Sequence, residues 1–156
     1  MADIALAFTD YGGGDLLLAG QDLARDDGLE TAVLLSLFCD RRASPEQFRA
    51  GDDTSDLRGW WGDINPAVDG DRYGSHLWLL RREKETRETL ARARQYATDA
   101  LAWLLEDKIA SAVRVETAYT ARGVIQISVV IDRPQADRAT FRFDYEWAAQ
   151  AAKRAA

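Results

Sequence analysis

Residue types that build metal and nucleophilic sites are scarce in this sequence, which has one histidine, His76, and one cysteine, Cys39, among 156 residues. A lone cysteine excludes a disulfide within the chain, so we expect a reducing compartment and a Cys39 packed as a small hydrophobe. A structural zinc site takes about four convergent ligands, and a Ser-His-Asp or Cys-His system would have to use His76. We therefore predict no metal, no cofactor and no catalytic residue, and we expect His76 to be a partly exposed packing residue.

Long hydrophobic runs and a surplus of basic charge are also missing. No run approaches the ~20 apolar residues of a membrane span, and residues 1–4 lack the features of a signal peptide. We therefore expect no membrane partner and synthesis in the cytoplasm. A net charge of −6 argues against electrostatic binding to nucleic acid. Basic residues between 81 and 94 alternate with glutamates, which favours a solvated helix face with ion pairs over a local basic patch.

The N-terminal third alternates short apolar pieces with turn residues. Ile4, Leu6 and Phe8 predict a short strand, and residues 16–18 predict a second one after a glycine turn at 12–14. An aspartate near residue 26 predicts the start of a helix. Residues 31–39 of this helix are apolar on almost every side, so it must be buried or covered by a partner.

The second half of the chain predicts a helix packed on a sheet. Ser75 precedes a short helix over residues 76–83, and Thr86 precedes a longer amphipathic helix that ends near Lys108. Three alternating runs within residues 111–147 predict an antiparallel β-meander with one apolar face, which the long helix would cover. This makes an α+β fold in one domain, residues 1–156, with a frayed helix over the alanine-rich tail at 148–156.

The most distinctive segment is a Trp/Gly-rich loop that spans about residues 40–74. Connections longer than about 15 residues are uncommon in compact domains and are usually functional or disordered, and tryptophans argue against disorder. Adjacent tryptophans on a loop must either pack inside their own domain or contact a partner, and the sequence leaves both open. We predict a partner-binding role for six residues in or after this loop: Arg58, Trp60, Trp61, Asp63, Arg72 and Trp78.

The same loop carries several carboxylates beside aromatic residues, a combination that glycoside hydrolases use. The aspartates concerned are Asp52, Asp53, Asp56, Asp63, Asp69 and Asp71. Aspartates in loops are by default turn formers, so we interpret them as structural and predict that the protein is not an enzyme.

Several of these segments together resemble the Mu-type phage tail baseplate protein family. The resemblance covers about residues 3–147, and its most specific block is Arg58-Gly59-Trp60-Trp61-Gly62-Asp63. The other matching segments are Leu29-Glu30-Thr31-Ala32-Val33, Ser36-Leu37-Phe38, Asp40-Arg41-Arg42-Ala43, Gly74-Ser75, Leu77-Trp78-Leu79-Leu80, Leu101-Ala102-Trp103-Leu104 and Phe141-Arg142-Phe143-Asp144.

The resemblance implies a structural subunit of a contractile tail, similar to the small wedge subunit of T-even baseplates. Such a subunit sits in the virion tail baseplate, usually in six copies, and is made in the bacterial host cytoplasm. It joins wedge and hub proteins to the first ring of sheath by strand exchange. The Glu-Pro-Arg signature of the T-even relatives is absent here, so residue roles attached to that signature are not carried over.

The resemblance also suggests how the parts would work. An exposed edge of the C-terminal meander would accept a strand from the sheath subunit, and the Trp60-Trp61 loop would contact the wedge or hub. Two alternatives belong to other classes. The wedge group is often labelled lysozyme-like, which implies a peptidoglycan-acting hydrolase, and a free-standing binding module or toxin-system protein is the second.

Overall fold

The computed structural model describes residues 3–8, 14–26, 28–48, 55–66, 70, 72–146 and 151–154. Its first part consists of six short strands, which pair antiparallel as β1 with β6, β2 with β3, and β4 with β5. Their bounds are β1 Asp3–Ile4, β2 Leu6–Phe8, β3 Gly14–Leu16, β4 Leu18–Ala19, β5 Asp22–Leu23 and β6 Arg25–Asp26.

The two strands predicted near the N-terminus are therefore present but interrupted. The interruptions fall where three segments share backbone hydrogen bonds: Ala5 N–H donates to Ala24 at 2.9 Å, Leu17 N–H to Ala5 at 3.1 Å, and Ala24 N–H to Leu17 at 2.8 Å. A residue bonded to two neighbours cannot continue a simple two-stranded ladder. The predicted glycine turn at 12–14 falls largely outside the described residues, which include only Gly14.

The first helix, α1, spans Glu30–Phe38 and begins as the sequence predicts. The Asp26 carboxylate accepts hydrogen bonds from the backbone N–H groups of Gly28 at 2.8 Å and Thr31 at 2.6 Å, which satisfies donors that the first turn leaves unpaired. Residues on several sides of the helix are buried, namely Thr31, Val33, Leu34, Ser36 and Leu37. The apolar character on almost every side is thus explained by burial within the chain itself.

Two further helices, α2 (Arg87–Ala100) and α3 (Trp103–Glu106), stand where one long helix was predicted. Thr86 caps α2 as expected, with its Oγ1 accepting from Thr89 N–H at 3.1 Å. The prediction of a continuous helix to Lys108 is wrong because Leu101 leaves the α conformation (φ −102°, ψ 4°) and its N–H turns to the Thr98 carbonyl. This tighter turn keeps both Leu101 and Leu104 fully buried.

The segment predicted to be helical after Ser75 is a 3₁₀ helix, Leu77–Arg82. Two other 3₁₀ turns, Pro45–Gln47 and Trp61–Ile64, lie within the predicted Trp/Gly-rich loop. Ion pairs were expected near α2, and one of them joins the Arg92 guanidinium to the Glu83 carboxylate at 2.6 Å.

The C-terminal sheet contains the predicted meander of β7 (Ala112–Ala121), β8 (Val124–Asp132) and β9 (Ala139–Glu146). In register, Thr117 pairs with Ile127 and Ile127 with Phe143, so the apolar residues of all three strands share one face. A fourth strand, β10 (Ala151–Arg154), pairs antiparallel with β9. Trp147, at the end of the predicted sheet, lies outside the described residues.

The strand β10 corrects the prediction of a frayed helix in the tail. The helical preference of alanine is worth a fraction of a kcal/mol per residue, and a short isolated helix is marginal in water. The edge of β9 offers main-chain hydrogen bonds at the same place, so the alanine-rich residues add to the sheet instead.

The core lies between the helices and the inner face of the sheet, which confirms the α+β fold. Phe38 of α1 meets Phe143 of β9 edge-on, with ring centroids 5.4 Å apart, and the Trp103 indole N–H donates to Ser36 Oγ at 3.1 Å. The buried cluster draws on every layer and includes Val33, Leu37, Leu77, Leu80, Ala93, Ala97, Leu101, Leu104, Ile125, Ile127, Val129, Ile131 and Phe143. Among the described residues, no helix combines the length and apolar character that a membrane span requires.

Candidate partner-binding surface

The Trp/Gly-rich loop is closed at its base by backbone hydrogen bonds. Asp40 and Ser75 form a parallel bridge, in which Arg41 N–H donates to Ser75 at 2.8 Å and Ser75 N–H donates to Cys39 at 2.9 Å. Gly74 makes this contact possible: its φ is +84°, and a Cβ there would lie 2.4 Å from the Cys39 carbonyl oxygen. The two ends of the loop are therefore held together next to α1.

A second set of contacts, made by Arg58, holds the middle of the loop against the core side of the domain. The Arg58 guanidinium lies 4.5 Å from the ring centroid of Trp78, and its Nη1 is 2.6 Å from the Asp40 carboxylate. Trp78 is only 8% exposed and donates its indole N–H to the Arg41 carbonyl at 2.9 Å. These residues join the loop, the end of α1 and the 3₁₀ helix Leu77–Arg82.

Consecutive left-handed residues turn the loop sharply at this point. Arg58 has φ +51° and Gly59 has φ +99°, a conformation that costs energy for residues with a side chain. A Cβ on Gly59 would lie 2.5 Å from the Cβ of Arg42, and one on Gly62 would lie 2.3 Å from the Trp60 ring. The glycines therefore let the backbone pass close to Arg42 and let Trp60 fold over the start of the next turn.

Beyond this turn, the aromatic side chains point outward. Trp60 is 48% exposed, Trp61 is 78% exposed and Ile64 is 88% exposed. The Trp60 ring centroid lies 5.4 Å from that of Trp61 and 5.3 Å from that of Tyr73. Asp63 accepts a hydrogen bond from the Tyr73 backbone N–H at 3.2 Å, which ties the two halves of the surface together.

These side chains surround an open groove with a volume of about 650 Å³, which we call the aromatic groove. Its lining residues come from two stretches of the loop and are Trp60, Trp61, Gly62, Asp63, Ile64, Asn65, Pro66, Arg72 and Tyr73.

The six residues predicted to bind a partner separate into two groups. Four of them line the aromatic groove, namely Trp60, Trp61, Asp63 and Arg72, while Arg58 and Trp78 lie beneath it. The tryptophan pair does not pack in the core, since Trp61 is 78% exposed and Trp60 is about half exposed.

Sequence reasoning missed Ile64 and Tyr73 as members of this surface. Ile64 carried a signal, because it is a branched aliphatic residue in a stretch otherwise rich in glycine and aspartate. Tyr73 carried none, because it reaches the tryptophans only through the folding of the loop.

Three titratable groups near the base of the loop, Cys39, Tyr73 and His76, have pKa values shifted toward their uncharged forms. Burial raises the pKa of the Cys39 thiol, and burial together with the neighbouring Cys39 raises the pKa of Tyr73 to about 12. Burial lowers the pKa of His76, whose Nε2 lies 3.1 Å from the Arg42 carbonyl and whose ring meets Tyr96 edge-on. A protonated, half-buried thiol is a poor nucleophile.

The loop aspartates that the structure describes are engaged in the loop's own conformation. Asp56 accepts from the Arg58 backbone N–H at 3.0 Å, and Asp63 accepts from Tyr73. The others, Asp52, Asp53, Asp69 and Asp71, lie outside the described residues. Within the part of the chain that the structure describes, no group of three or more His, Cys, Asp or Glu residues could hold a metal ion.

Comparison with known proteins identifies the class to which this fold and loop belong. Residues 29–138, which include the whole aromatic groove, match the family described as Phage protein GP46, and the chain belongs to that family. The resemblance to Mu-type baseplate proteins is thereby confirmed.

Two relatives match over nearly their full lengths. The baseplate protein gp46 of Escherichia phage Mu is 40% identical over 144 residues, which make up 92% of this chain and 95% of that protein. The Mu-like prophage FluMu protein gp46 of Haemophilus influenzae is 35% identical over 147 residues, which make up 94% of this chain and 98% of that protein.

Proposed function

We propose that this protein is a structural subunit of a contractile phage-type tail baseplate that links wedge and hub proteins to the first ring of the tail sheath. The observation that carries the proposal is the exposed tryptophan pair on a loop that is anchored at its base and in its middle. Large exposed apolar groups on a fixed surface mark interaction sites, and tryptophan and arginine are the residue types most often found at their energetic centres.

The aromatic groove is the contact to the wedge or hub. Trp60, Trp61, Asp63 and Arg72 meet the partner directly in this arrangement, while Arg58 and Trp78 set the position of the loop. Because the loop is already tied to α1 and to the 3₁₀ helix Leu77–Arg82, little ordering has to accompany binding, which favours affinity.

The sheath attaches at the edge of the C-terminal sheet. Strand order is β10-β9-β8-β7, so among the strands that the structure describes β7 has a partner on one side only. Edge strands present unpaired N–H and C=O groups that accept an added strand from another chain. A sheath subunit would donate that strand, and six copies of this protein, the number that the resemblance implies, would serve the first sheath ring.

The test is complementation of a strain that lacks the gene, followed by electron microscopy of the particles. The wild-type gene restores complete tails, whereas W60A/W61A yields separate heads and incomplete tails, because the groove has lost its anchors. We expect circular dichroism of the purified double variant to show that it remains folded, since neither tryptophan belongs to the buried core.

Leu105 provides the matched control, since it is an apolar side chain, 45% exposed, on α3 and outside the groove. L105A restores complete tails. Normal contractile tails from W60A/W61A would contradict the proposal, and an unfolded double variant would show that the pair serves stability instead.

A further inference from the structure

We propose that the tail strand β10 closes the β9 edge of the sheet against strands of other chains, which leaves β7 as the edge open to strand addition. The closing of β9 concerns the protein by itself, and the role left to β7 rests on the proposed function. Among the strands that the structure describes, β10 and β7 are the two edges of the four-stranded sheet. They differ in length, in residue types and in the surface beside them.

The strand β10 covers part of the β9 edge with the protein's own backbone. Its four residues pair antiparallel with the second half of β9, from Ala151 opposite Glu146 to Arg154 opposite Phe143. Cα atoms of β10 also lie within 8 Å of Cα atoms of β2, so the N-terminal strands come close to the same edge. A strand from another chain would therefore have to displace β10 before it could pair along the whole of β9.

The residues of β10 are typical of an edge that resists further pairing. Natural proteins keep sheet edges from pairing with other chains by making the edge strand short and by placing charged residues in it, lysine above all. The strand β10 has four residues and contains Lys153 and Arg154. Alanine, which supplies the other two, is depleted in strands. The tail is therefore suited to end the sheet and not to extend it.

The opposite edge, β7, has the features of an edge that can accept a strand. It is ten residues long and contains neither lysine nor proline. Val113 and Val115 on its inward face are only partly buried, whereas Ile127 and Val129 on β8 are fully buried. A strand added beside β7 would remove more of this apolar surface from water.

The first test is hydrogen exchange, measured by NMR at low protein concentration, on a truncated protein that lacks residues 150–156. In an antiparallel pair, alternate residues direct their N–H groups toward each neighbour, so two of the four amides from Phe143 to Glu146 face β10. We expect these two to exchange about tenfold faster or more after truncation, and the two that face β8 to stay protected. Removal of residues 155–156 alone keeps β10 and leaves all four unchanged. Unchanged exchange in the protein that lacks residues 150–156 would overturn the inference.

The second test is the association state, measured by sedimentation velocity over a range of protein concentrations. An uncovered β9 edge pairs with that of a second copy. The protein that lacks residues 150–156 therefore dimerises at least about tenfold more tightly than the protein that lacks only residues 155–156. Equal association of the two truncated proteins would show that the tail does not protect β9.

A valine variant tests the pairing without removing the tail, and it also serves if the longer truncation does not fold. Valine favours strands over alanine, so in A151V/A152V the amides that face β10 exchange about threefold more slowly or more. Exchange at the wild-type rate would contradict the inference, because a paired strand responds to its own strand preference.

This inference and the proposed function fail separately. If truncation speeds exchange and tightens association while a proline at the open edge of β7 leaves sheath attachment intact, the closure of β9 stands and the sheath contact at β7 is lost. If truncation changes neither exchange nor association, β10 does not close β9, whatever tails the variant gives.

Discussion

At the scale of single residues, Arg58 shows how one side chain can determine where its neighbours point. Its guanidinium covers Trp78 and pairs with Asp40, while its own backbone and that of Gly59 adopt left-handed conformations. The backbone turns sharply there, and Trp60 and Trp61, which follow, lie at the surface.

This arrangement predicts that R58K destabilises the protein by about 1–2 kcal/mol, although the charge is retained. Lysine lacks the planar guanidinium that pairs with a carboxylate and stacks on an indole at the same time. The free energy of unfolding, measured by urea denaturation followed by circular dichroism, checks the value.

The control is R122K, at an exposed arginine in the turn between β7 and β8, which we expect to change stability by less than about 0.5 kcal/mol. An R58K variant as stable as the wild type would show that the contacts of Arg58 contribute nothing specific to its planar head group.

Sequence reasoning at this scale singled out the tryptophans of the loop but not which way they face. Trp78 lies between Leu77 and Leu80, both buried, so its inward position has a local signal. The outward position of Trp60 and Trp61 has none, because it depends on Gly59 meeting Arg42 and Gly74 meeting Cys39, contacts between residues far apart in the sequence.

At the scale of elements, periodic patterns with one buried face were predictable and irregular segments were not. The alternation of apolar and polar residues in β7, β8 and β9 and the apolar stripe of α2 each repeat several times. A single residue that departs from the pattern therefore does not hide it. The tail offered only alanine composition, and its pairing with β9 follows from an available edge rather than from its own residues. The break at Leu101 likewise depends on the surface that the helix covers.

The edge of β7 supports a prediction with proline. Neighbouring residues in a strand direct their N–H groups to opposite sides. Of the two variants V115P and E116P, one therefore loses a backbone hydrogen bond to β8, and the other loses an N–H donor at the open edge of the sheet. The first unfolds or is destabilised by about 3 kcal/mol or more, and the second stays folded. We expect the folded variant, in the complementation assay, to give baseplates without attached sheath.

Threonine at the same position is the control, because it keeps the N–H group and suits a strand. A folded proline variant that attaches sheath as efficiently as the threonine variant would argue that sheath does not join at β7.

At the scale of the whole molecule, the buried cluster connects α1, α2, α3 and the sheet. We therefore predict a single cooperative unfolding transition, as expected for one domain of this size. Far-ultraviolet circular dichroism, which follows backbone structure, and tryptophan fluorescence, which follows all five tryptophans, give the same midpoint. Two separated midpoints would mean that the loop and the core unfold independently.

The bridge between Asp40 and Ser75 has a consequence for how such proteins diverge. Because the chain leaves and re-enters the core at adjacent points, the exposed residues between them can change without moving the helices or the sheet, provided that the Arg58 contacts are kept. Under the proposed function, a tail could acquire a new baseplate partner through changes in the exposed part of this loop while its subunit keeps the same helices and sheet.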